Sequence, residues 1–344
     1  MTSNKEPPIF VLGCPRSGTT VLYHMLLSSG HFAVYRAESE VFDVIAPLFD
    51  NLRTASARSR LADAWIGSFL FNRSGLGREG LRERIIADCR NGGDFLRLVM
   101  ESIAAKQGVS RWADCTPNHL LHIPEIKRTI PEARVIHIIR DGRDVALSLA
   151  AMNWIRPLAW RKEHGLEAAA VYWDWIVGRG RAYGKQIAPD YVEVSFEELI
   201  TDPRATLDSL SSFVGIDLDY DSIRRADIGS LSKPNTSFRN DPGAQFRPVG
   251  RWRKKLSPAR LRHIERLIGN RLQSTGYELA ARTPERGLSG WASSTTVHAY
   301  RSCFSAKQWL KSRTPLGRVL VSPYVTGNDG EPMSLLNFTR TRNT

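Results

Sequence analysis

The sequence predicts an α/β fold in three layers, in which helices flank a mostly parallel central sheet. Two observations support this prediction. Short β-like runs alternate with helical patterns through the first half of the chain, as they do in parallel α/β proteins. The apolar run at residues 9–13 also leads through a glycine-containing loop into a helical pattern, which is the beginning of a β-loop-α unit.

Each element follows from a local pattern. Apolar, β-branched runs predict strands at residues 9–13, 134–139 and 191–194, and residues 111–114 are a short strand candidate. Apolar residues at helical spacing predict helices at residues 19–28, 94–106, 118–129 (interrupted by Pro124), 143–152 and 167–186. Asp202-Pro203 and Ser257-Pro258 each place a capping side chain before a proline, so each predicts a helix start. Residues 231–248 are predicted to form a long loop.

Composition excludes several classes of protein. The chain has 344 residues, of which 42% are hydrophobic and 24% charged. This composition predicts a soluble globular protein with a substantial buried core. It contains no apolar run long enough for a membrane span, and its first residues do not resemble a signal peptide. Its four cysteines lie far apart and show neither a disulfide framework nor a zinc spacing. We therefore expect a cytoplasmic protein.

Positive charge is concentrated near the C-terminus. Residues 239–344 hold 19 Lys and Arg against 6 Asp and Glu, whereas residues 1–238 hold 29 of each. A solvated basic tail would explain this pattern, as would contact with an anionic ligand, an acidic macromolecule or the inner face of a membrane. Within this part, Val297, Tyr300 and Phe304 share a helical face.

The loop after the first predicted strand, Gly13–Thr20 (GCPRSGTT), nearly fits the phosphate-binding pattern G-x-x-x-x-G-K-[ST]. Thr19 replaces the lysine, and the cation of the loop is Arg16. A strand, a glycine loop and a helix N-terminus together aim backbone N–H groups at an anion, to which Ser17 and Thr20 add hydroxyls. Because the lysine that contacts β/γ-phosphates is missing, the loop favours another anion over a nucleoside triphosphate.

A second polar group follows the predicted strand at residues 134–139. Arg140 stands at the end of this strand, where α/β folds bind ligands, and Ser148 lies about two helical turns later. An arginine fork and a hydroxyl that converge can hold a phosphate. The alternative is that these charges only form ion pairs at a helix start, Arg140 with Asp144 or Arg143 with Asp141.

With these two motifs in this order, the chain resembles the sulfotransferases that use 3′-phosphoadenosine 5′-phosphosulfate (PAPS), nearest to the branch of bacterial and tyrosylprotein sulfotransferases. The resemblance runs from about residue 8 to residue 279. It implies a P-loop-type three-layer fold, PAPS as co-substrate without a required metal, and sulfuryl transfer to a hydroxyl or amine. Residues 1–280 would form the catalytic domain, and residues 281–344 a basic, aromatic-containing extension that is a lid, a contact segment or partly disordered.

The resemblance also implies residue roles. The first loop would hold the 5′-phosphosulfate with Arg16 as its cation, Arg140 and Ser148 would bind the 3′-phosphate, and Gly250-Arg251-Trp252 would close over PAPS. Ser237 matches a serine that contacts the leaving phosphate, with Thr236 as the alternative. The full predicted binding set is Cys14, Pro15, Arg16, Ser17, Gly18, Thr19, Thr20, Arg140, Ser148, Arg251 and Trp252.

The reaction also needs a base for the acceptor proton. Residues 33–40 (AVYRAESE) place two carboxylates just after an expected strand, and the resemblance indicates Glu38 as the base, with Glu40 second. His119 is a third candidate, because cytosolic-type members use a histidine at the corresponding strand end. Each candidate also has a purely structural interpretation, as an ion-pair partner of an arginine such as Arg36 or as a capping or packing residue.

Two positions depart from the family pattern. Many relatives have a lysine at Cys115 that stabilises the transferring sulfuryl group, and tyrosylprotein members have a phosphate-binding arginine at Met152. If Cys115 aligns with that lysine, the positive charge must come from Arg16 or Arg251. A protein that binds nucleotide without transfer therefore stays open as an alternative, and a P-loop kinase is a weaker one.

The acceptor is not readable from the sequence. A small molecule, a carbohydrate, a lipid or a peptide would each suit the fold, because variable loops form acceptor pockets. No nucleic acid is expected as a partner. A homodimer, and contact with a membrane surface through the basic C-terminal part, are kept open.

Overall fold

The computed structural model of the chain describes residues 6–153, 155, 165–228, 248–280 and 288–313. A parallel four-stranded sheet lies at the centre of this described part, with strand order β2-β1-β3-β4. The strands are β1 (Ile9–Leu12), β2 (Ala113–Asp114), β3 (Arg134–Ile139) and β4 (Tyr191–Ser195). Because β1 pairs in parallel with β2 and β3, and β3 with β4, the four carboxyl ends lie at one edge of the sheet.

Helices connect the strands and cover the sheet. They are α1 (Thr19–Ser28), α2 (Ala46–Leu48), α3 (Ala55–Ile66), α4 (Phe69–Ser74), α5 (Leu81–Asp88), α6 (Gly92–Gln107), α7 (Ile123–Thr129), α8 (Gly142–Met152), α9 (Gly165–Gly184), α10 (Phe196–Thr201), α11 (Pro203–Val214), α12 (Tyr220–Ala226), α13 (Trp252–Lys255), α14 (Pro258–Ser274) and α15 (Leu288–Arg313). A π-helical turn at Val41–Ile45 and 3₁₀ turns at Asp50–Leu52 and Pro117–His122 complete the helical structure of the described residues.

Side chains of alternating residues in the sheet enter two separate cores. Phe10 and Leu12 belong to one hydrophobic cluster, whereas Ile9 and Val11 belong to the other. A strand whose successive side chains point to opposite faces can be buried on both faces only if helices cover both. The predicted three-layer α/β architecture is therefore confirmed.

Most predicted elements are confirmed to within a few residues. The helix at residues 19–28 and the strand at residues 134–139 have the predicted bounds. The predicted caps are also present, since Asp202 accepts the Ala205 N–H at 3.2 Å and Ser257 accepts the Arg260 N–H at 3.4 Å.

Two predictions about elements need correction. No strand precedes the carboxylates of residues 33–40, where the backbone forms only an isolated bridge between Phe32 and Arg111. The predicted helix at residues 118–129 is a 3₁₀ turn, Pro117–His122, followed by α7. Pro124 causes this break because it has no N–H to donate to the preceding turn, so the α-helix starts around it. The predicted loop at residues 231–248 lies outside the described residues, except for Pro248.

The C-terminal helix α15 packs on α9. The predicted shared face of Val297, Tyr300 and Phe304 is buried, and the Phe304 ring lies edge-on to Tyr172 at 5.3 Å. At least residues 288–313 of the basic C-terminal part thus have regular structure. None of the described helices combines the length and the apolar character needed to cross a membrane.

Candidate active site

The carboxyl edge of the sheet brings four segments together. The loop at residues 13–18 follows β1, Cys115 follows β2, Arg140 follows β3 and Phe196 follows β4. Ligands in open α/β folds bind outside this edge of the sheet. The two motifs singled out in the sequence are therefore neighbours because their strands, β1 and β3, pair with each other.

The glycines of the loop allow a close approach to neighbouring elements. Gly18 has a φ of 96°, and a Cβ atom there would lie 2.3 Å from Phe196 Cδ2. At Gly13 a Cβ atom would lie 2.6 Å from the carbonyl oxygen of Ile138. Since real Cβ atoms do not approach so closely, these positions need glycine, which also adopts a positive φ without strain.

Arg16, Arg140 and Ser148 are in direct contact. Arg16 Nε donates to Ser148 Oγ at 3.0 Å, and Arg140 Nη1 donates to the Arg16 carbonyl at 3.1 Å. Arg140 Nη2 donates to the Pro248 carbonyl at 2.6 Å, and the guanidinium lies 4.6 Å from the centroid of the Phe196 ring. The residues predicted to hold two parts of one ligand are thus within reach of a single ligand.

The ion pairs considered as the alternative are also present. Arg143 contacts Asp141 at 2.7 Å, and Arg140 Nη2 lies 3.7 Å from Asp144. The Arg143 guanidinium contacts a second carboxylate as well, that of Glu265, so it is held between two acidic partners. For Arg140, the partner Asp144 has a further role in the fold.

Asp144 anchors the segment that contains Arg251. Its Oδ2 accepts the Gly250 N–H and its Oδ1 accepts the Trp252 N–H, both at 2.8 Å. Trp252 is buried, with the Arg143 guanidinium 3.8 Å from its ring centroid. The sequence predicts Asp144 only as an ion-pair partner of Arg140. An acidic residue one helical turn after a strand-end arginine was the one signal for this anchor.

Burial and crowding of like charges characterise this site. Burial lowers the pKa of Arg16 to about 10, together with the positive charges of Arg140 and Arg251, while Glu38 opposes the shift. Burial also lowers the pKa of Arg140, against the opposing effects of Asp144 and Glu197. Within the described residues, Ser17 Oγ and Arg140 Nε are buried without a hydrogen-bond partner. Buried cations and unused donors at one place are typical of an anion site.

Glu38 and Glu40 belong to a row of carboxylates that ends at Asp43. Glu40 lies within hydrogen-bonding reach of both Glu38 and Asp43. Burial, and then the neighbouring negative charges of Asp43 and Glu38, raise its pKa well above the usual value, which favours the protonated form of Glu40. In the described part, no group of three or more His, Cys, Asp or Glu side chains is arranged to hold a metal ion.

His119 is engaged at both ring nitrogens. Its Nε2 accepts the Phe42 N–H at 3.2 Å, so Nδ1 carries the proton and donates to Asp114 Oδ2 at 2.9 Å. The ring is fully buried. In this arrangement His119 has no lone pair left to take a proton from an acceptor.

The remaining predicted residues have differing surroundings. Cys115 is buried beside Thr19, and burial, followed by the charges of Glu38 and Asp114, raises the pKa of its thiol well above the usual value. A neutral thiol therefore occupies this position. Met152 ends α8 and is half-buried, and Ser237 and Thr236 lie outside the described residues. Of the other loop residues, Cys14 is buried, Pro15 is half-buried and Thr20 is exposed.

Comparison with known proteins identifies the family. The profile of the sulfotransferase family matches residues 7–220, more than half of the chain. This chain belongs to the sulfotransferase family. A Caenorhabditis briggsae protein, named provisionally as a protein-tyrosine sulfotransferase, is 27% identical over 222 residues, which are 64% of this chain and 69% of that protein.

A solved sulfotransferase domain shares the fold. The sulfotransferase domain of the Synechococcus PCC 7002 olefin synthase aligns with a TM-score of 0.54 and 20% identity, covering 80% of this chain and 96% of that domain. A sulfotransferase domain from the curacin biosynthetic pathway aligns with a TM-score of 0.45 and 15% identity, covering 85% of this chain and 97% of that domain. The predicted family, P-loop-type α/β fold and enzyme class are thus confirmed, while residues 250–252 and α15 lie beyond the family match.

Proposed function

We propose that this sulfotransferase moves the sulfuryl group of PAPS to a hydroxyl or amine acceptor by in-line transfer, with Glu38 as the general base. The observation that carries the proposal is the crowding of three arginines, Arg16, Arg140 and Arg251, at the Gly13–Thr20 loop, called the phosphate-type loop below. The positive charges of these arginines repel one another where they are poorly solvated. A bound anion would offset this repulsion. The name of the tyrosine-specific relative supports a hydroxyl acceptor.

The contacts support the following binding roles. The loop N–H groups, Arg16 and Ser17 would hold the 5′-phosphosulfate, while Arg140 and Ser148 would hold the 3′-phosphate. The 250–252 segment, tied down by Asp144, would cover the nucleotide with Arg251. PAPS supplies an activated sulfuryl group and has no γ-phosphate, which is why Thr19 can replace the lysine of nucleotide-triphosphate loops.

Glu38 is the best-placed base among the three candidates. The raised pKa of Glu40 favours its protonated form, and both nitrogens of His119 are engaged. Glu38 interacts electrostatically with Arg16 and Cys115, so it lies beside the loop. It would take the acceptor proton as the acceptor oxygen or nitrogen bonds to sulfur. Since Cys115 is neutral, Arg16 and Arg251 would offset the negative charge that develops on the leaving phosphate.

Nucleotide binding tests the first half of the proposal. Adenosine 3′,5′-bisphosphate should raise the melting temperature of the wild-type chain, and Arg16→Ala or Arg140→Ala should abolish the rise. Arg128→Ala is the matched control, since Arg128 is 68% exposed and contacts only Glu125 in its ion pair. Absence of a shift in the wild type, or equal shifts in all variants, would refute the binding site. A shift with Mg²⁺-ATP alone would support a kinase instead.

Turnover tests the second half. With labelled PAPS and a panel of phenols, carbohydrates, lipids and peptides, mass spectrometry should detect the gain of one SO₃ group on an acceptor. Glu38→Gln should reduce kcat by about 10²-fold or more, because a general base contributes about that much. Unchanged turnover in Glu38→Gln would move the role to Glu40 or His119. Tight nucleotide binding without transfer to any acceptor would favour a binding protein with this fold.

A further inference from the structure

The C-terminal helix α15 is held against the catalytic part at several points. Phe304 packs on Tyr172 and Trp175, with ring centroids 5.3 and 5.7 Å apart. Trp175 Nε1 donates to Ser305 Oγ at 3.0 Å, and Arg301 pairs with the buried Asp174. These contacts define the position of the helix relative to α9, so side chains further along it have defined positions as well.

The last described turns of α15 reach the buried carboxylates of the site. Lys311 Nζ lies 3.6 Å from Asp43 Oδ2. One turn earlier, Gln308 Nε2 lies 3.2 Å from His122 Nε2. Asp43 is almost fully buried and also contacts Asn118 Nδ2 at 3.3 Å. The ammonium group of Lys311 thus reaches Asp43 from α15, a helix outside the family match.

Asp43, Glu40 and Glu38 form a continuous row that ends beside the phosphate-type loop. Three adjacent carboxyl groups cannot all ionise in a poorly solvated place, and the group that keeps a proton is the one farthest from cations. Arg16 lies at the Glu38 end and Lys311 at the Asp43 end, which leaves Glu40 in the middle. The charged and titratable groups that face this row are Arg16, Asp114, Cys115, His119, His122 and Lys311.

The ionisation of Asp43 follows the same logic. Burial acts to raise the pKa of its carboxyl, but the positive charge of Lys311 is the largest opposing effect, and the pKa is held below its usual value. The charged form of Asp43 is therefore favoured beside the protonated form of Glu40.

We propose that Lys311 is a positioning residue of this active site, which keeps Asp43 ionised and the shared proton on Glu40, and so leaves Glu38 ionised to accept a proton. The proposal rests on Glu38 being the base of the proposed function. Without the ammonium group the carboxyl row loses a neighbouring positive charge. Each carboxyl group, including Glu38, then takes up a proton at higher pH.

The pH profile tests this role in the full-length chain. In Lys311→Met the acid limb of kcat/KM should move to higher pH by about 0.5–1 unit, with rates approaching the wild type at alkaline pH. Lys311→Arg should restore the wild-type limb. Lys307→Met is the matched control, because Lys307 is an exposed lysine one turn earlier on α15. An unmoved acid limb in Lys311→Met, or an equal loss at every pH, would overturn the proposal.

A measurement without turnover separates this proposal from the proposed function. Carboxyl ¹³C NMR of labelled protein, assigned with Glu38→Gln and Glu40→Gln, gives the titration midpoint of Glu38 directly. Lys311→Met should raise this midpoint and Lys307→Met should not. An unchanged midpoint would overturn the role of Lys311. A raised midpoint in a protein that transfers no sulfuryl group would support the role of Lys311 and refute the proposed reaction.

Discussion

Single residues determine how closely the loop approaches the rest of the site. Phe196 lies directly against Gly18, and the guanidinium of Arg140 lies over the same ring. A change at Gly18 would therefore be transmitted through the ring to an arginine of the anion site. Asp144 links two arginines of the site. It lies 3.7 Å from Arg140 and accepts the backbone N–H groups on both sides of Arg251.

Gly18→Ala should lower the free energy of unfolding by more than Gly30→Ala does. Both glycines have positive φ, 96° and 78°, so both variants carry the backbone cost of about 1–2 kcal/mol. Only Gly18 has a neighbour in the way, because a methyl group added at Gly30 would meet nothing within 4 Å. The overlap should add about 1–3 kcal/mol, which urea unfolding of the two variants measures. Equal losses would show that Phe196 moves aside freely.

Asp144→Asn should destabilise the fold and weaken nucleotide binding together. Gly250 and Trp252 donate to different oxygens of Asp144, and asparagine replaces one of these oxygens by an NH2 group, which cannot accept. Loss of one such bond to a charged group costs about 1.5–3 kcal/mol. Calorimetric titration with adenosine 3′,5′-bisphosphate should show weaker binding. Asp208→Asn, at an exposed position on α11, is the control. Wild-type affinity in Asp144→Asn would contradict the anchoring role.

At the scale of elements, α15 extends the family core. Its apolar face covers α9, and its polar residues reach Asp174 and Asp43. Within residues 297–304, the aromatic residues of the basic C-terminal part are buried and contribute to the core. This packing positions Lys311.

Phe304→Ala should loosen α15 without unfolding the sheet. Phe304 is 6% exposed, and truncation of such a phenylalanine to alanine costs about 3–5 kcal/mol of packing free energy. Because one helix has only a small interface, this loss should make local detachment of α15 more frequent. Hydrogen exchange should become faster in residues 295–311 and stay slow in β1 and β3. Trp309→Ala is the control, because Trp309 is 55% exposed. Unchanged exchange in Phe304→Ala would mean that the ion pairs suffice to hold the helix.

At the scale of the whole molecule, the parallel sheet contains a buried titratable group. His137, on the central strand β3, is fully buried, with Nδ1 2.6 Å from the Tyr191 hydroxyl. Burial, and then the charge of Arg181, lowers its pKa from 6.5 to about 3. In the folded chain His137 is therefore neutral at any pH at which the enzyme is expected to work.

The stability of the fold should consequently fall on acidification. Below pH 6.5 the unfolded chain binds a proton at His137 that the folded chain refuses until about pH 3. This difference lowers the free energy of unfolding by about 1.4 kcal/mol per pH unit in that window. Denaturant unfolding between pH 6 and pH 4 should show a smaller slope in His137→Gln. His263→Gln, which changes a side chain that is 44% exposed, should keep the wild-type slope; identical slopes in both variants would contradict the assignment.

The sequence by itself determined the local elements and the first two motifs of the site. Strand 134–139, helix 19–28 and the capped helix starts depend on neighbouring residues, so local patterns predict them. The convergence of the Gly13–Thr20 loop, Arg140 and Ser148 was also predictable, because parallel strands end at the same edge of a sheet.

Only the tertiary structure decided what surrounds these motifs. The engagement of His119, the anchoring by Asp144 and the entry of Lys311 each join residues far apart in the chain. Such contacts depend on how whole helices pack, and the protonation of Glu40 depends in turn on which charges that packing brings near. Local sequence patterns predict neither the packing of distant helices nor the charges that it brings together. The anion-binding character of the phosphate-type loop could therefore be predicted from the sequence, whereas the protonation states of the carboxyl groups beside it could not.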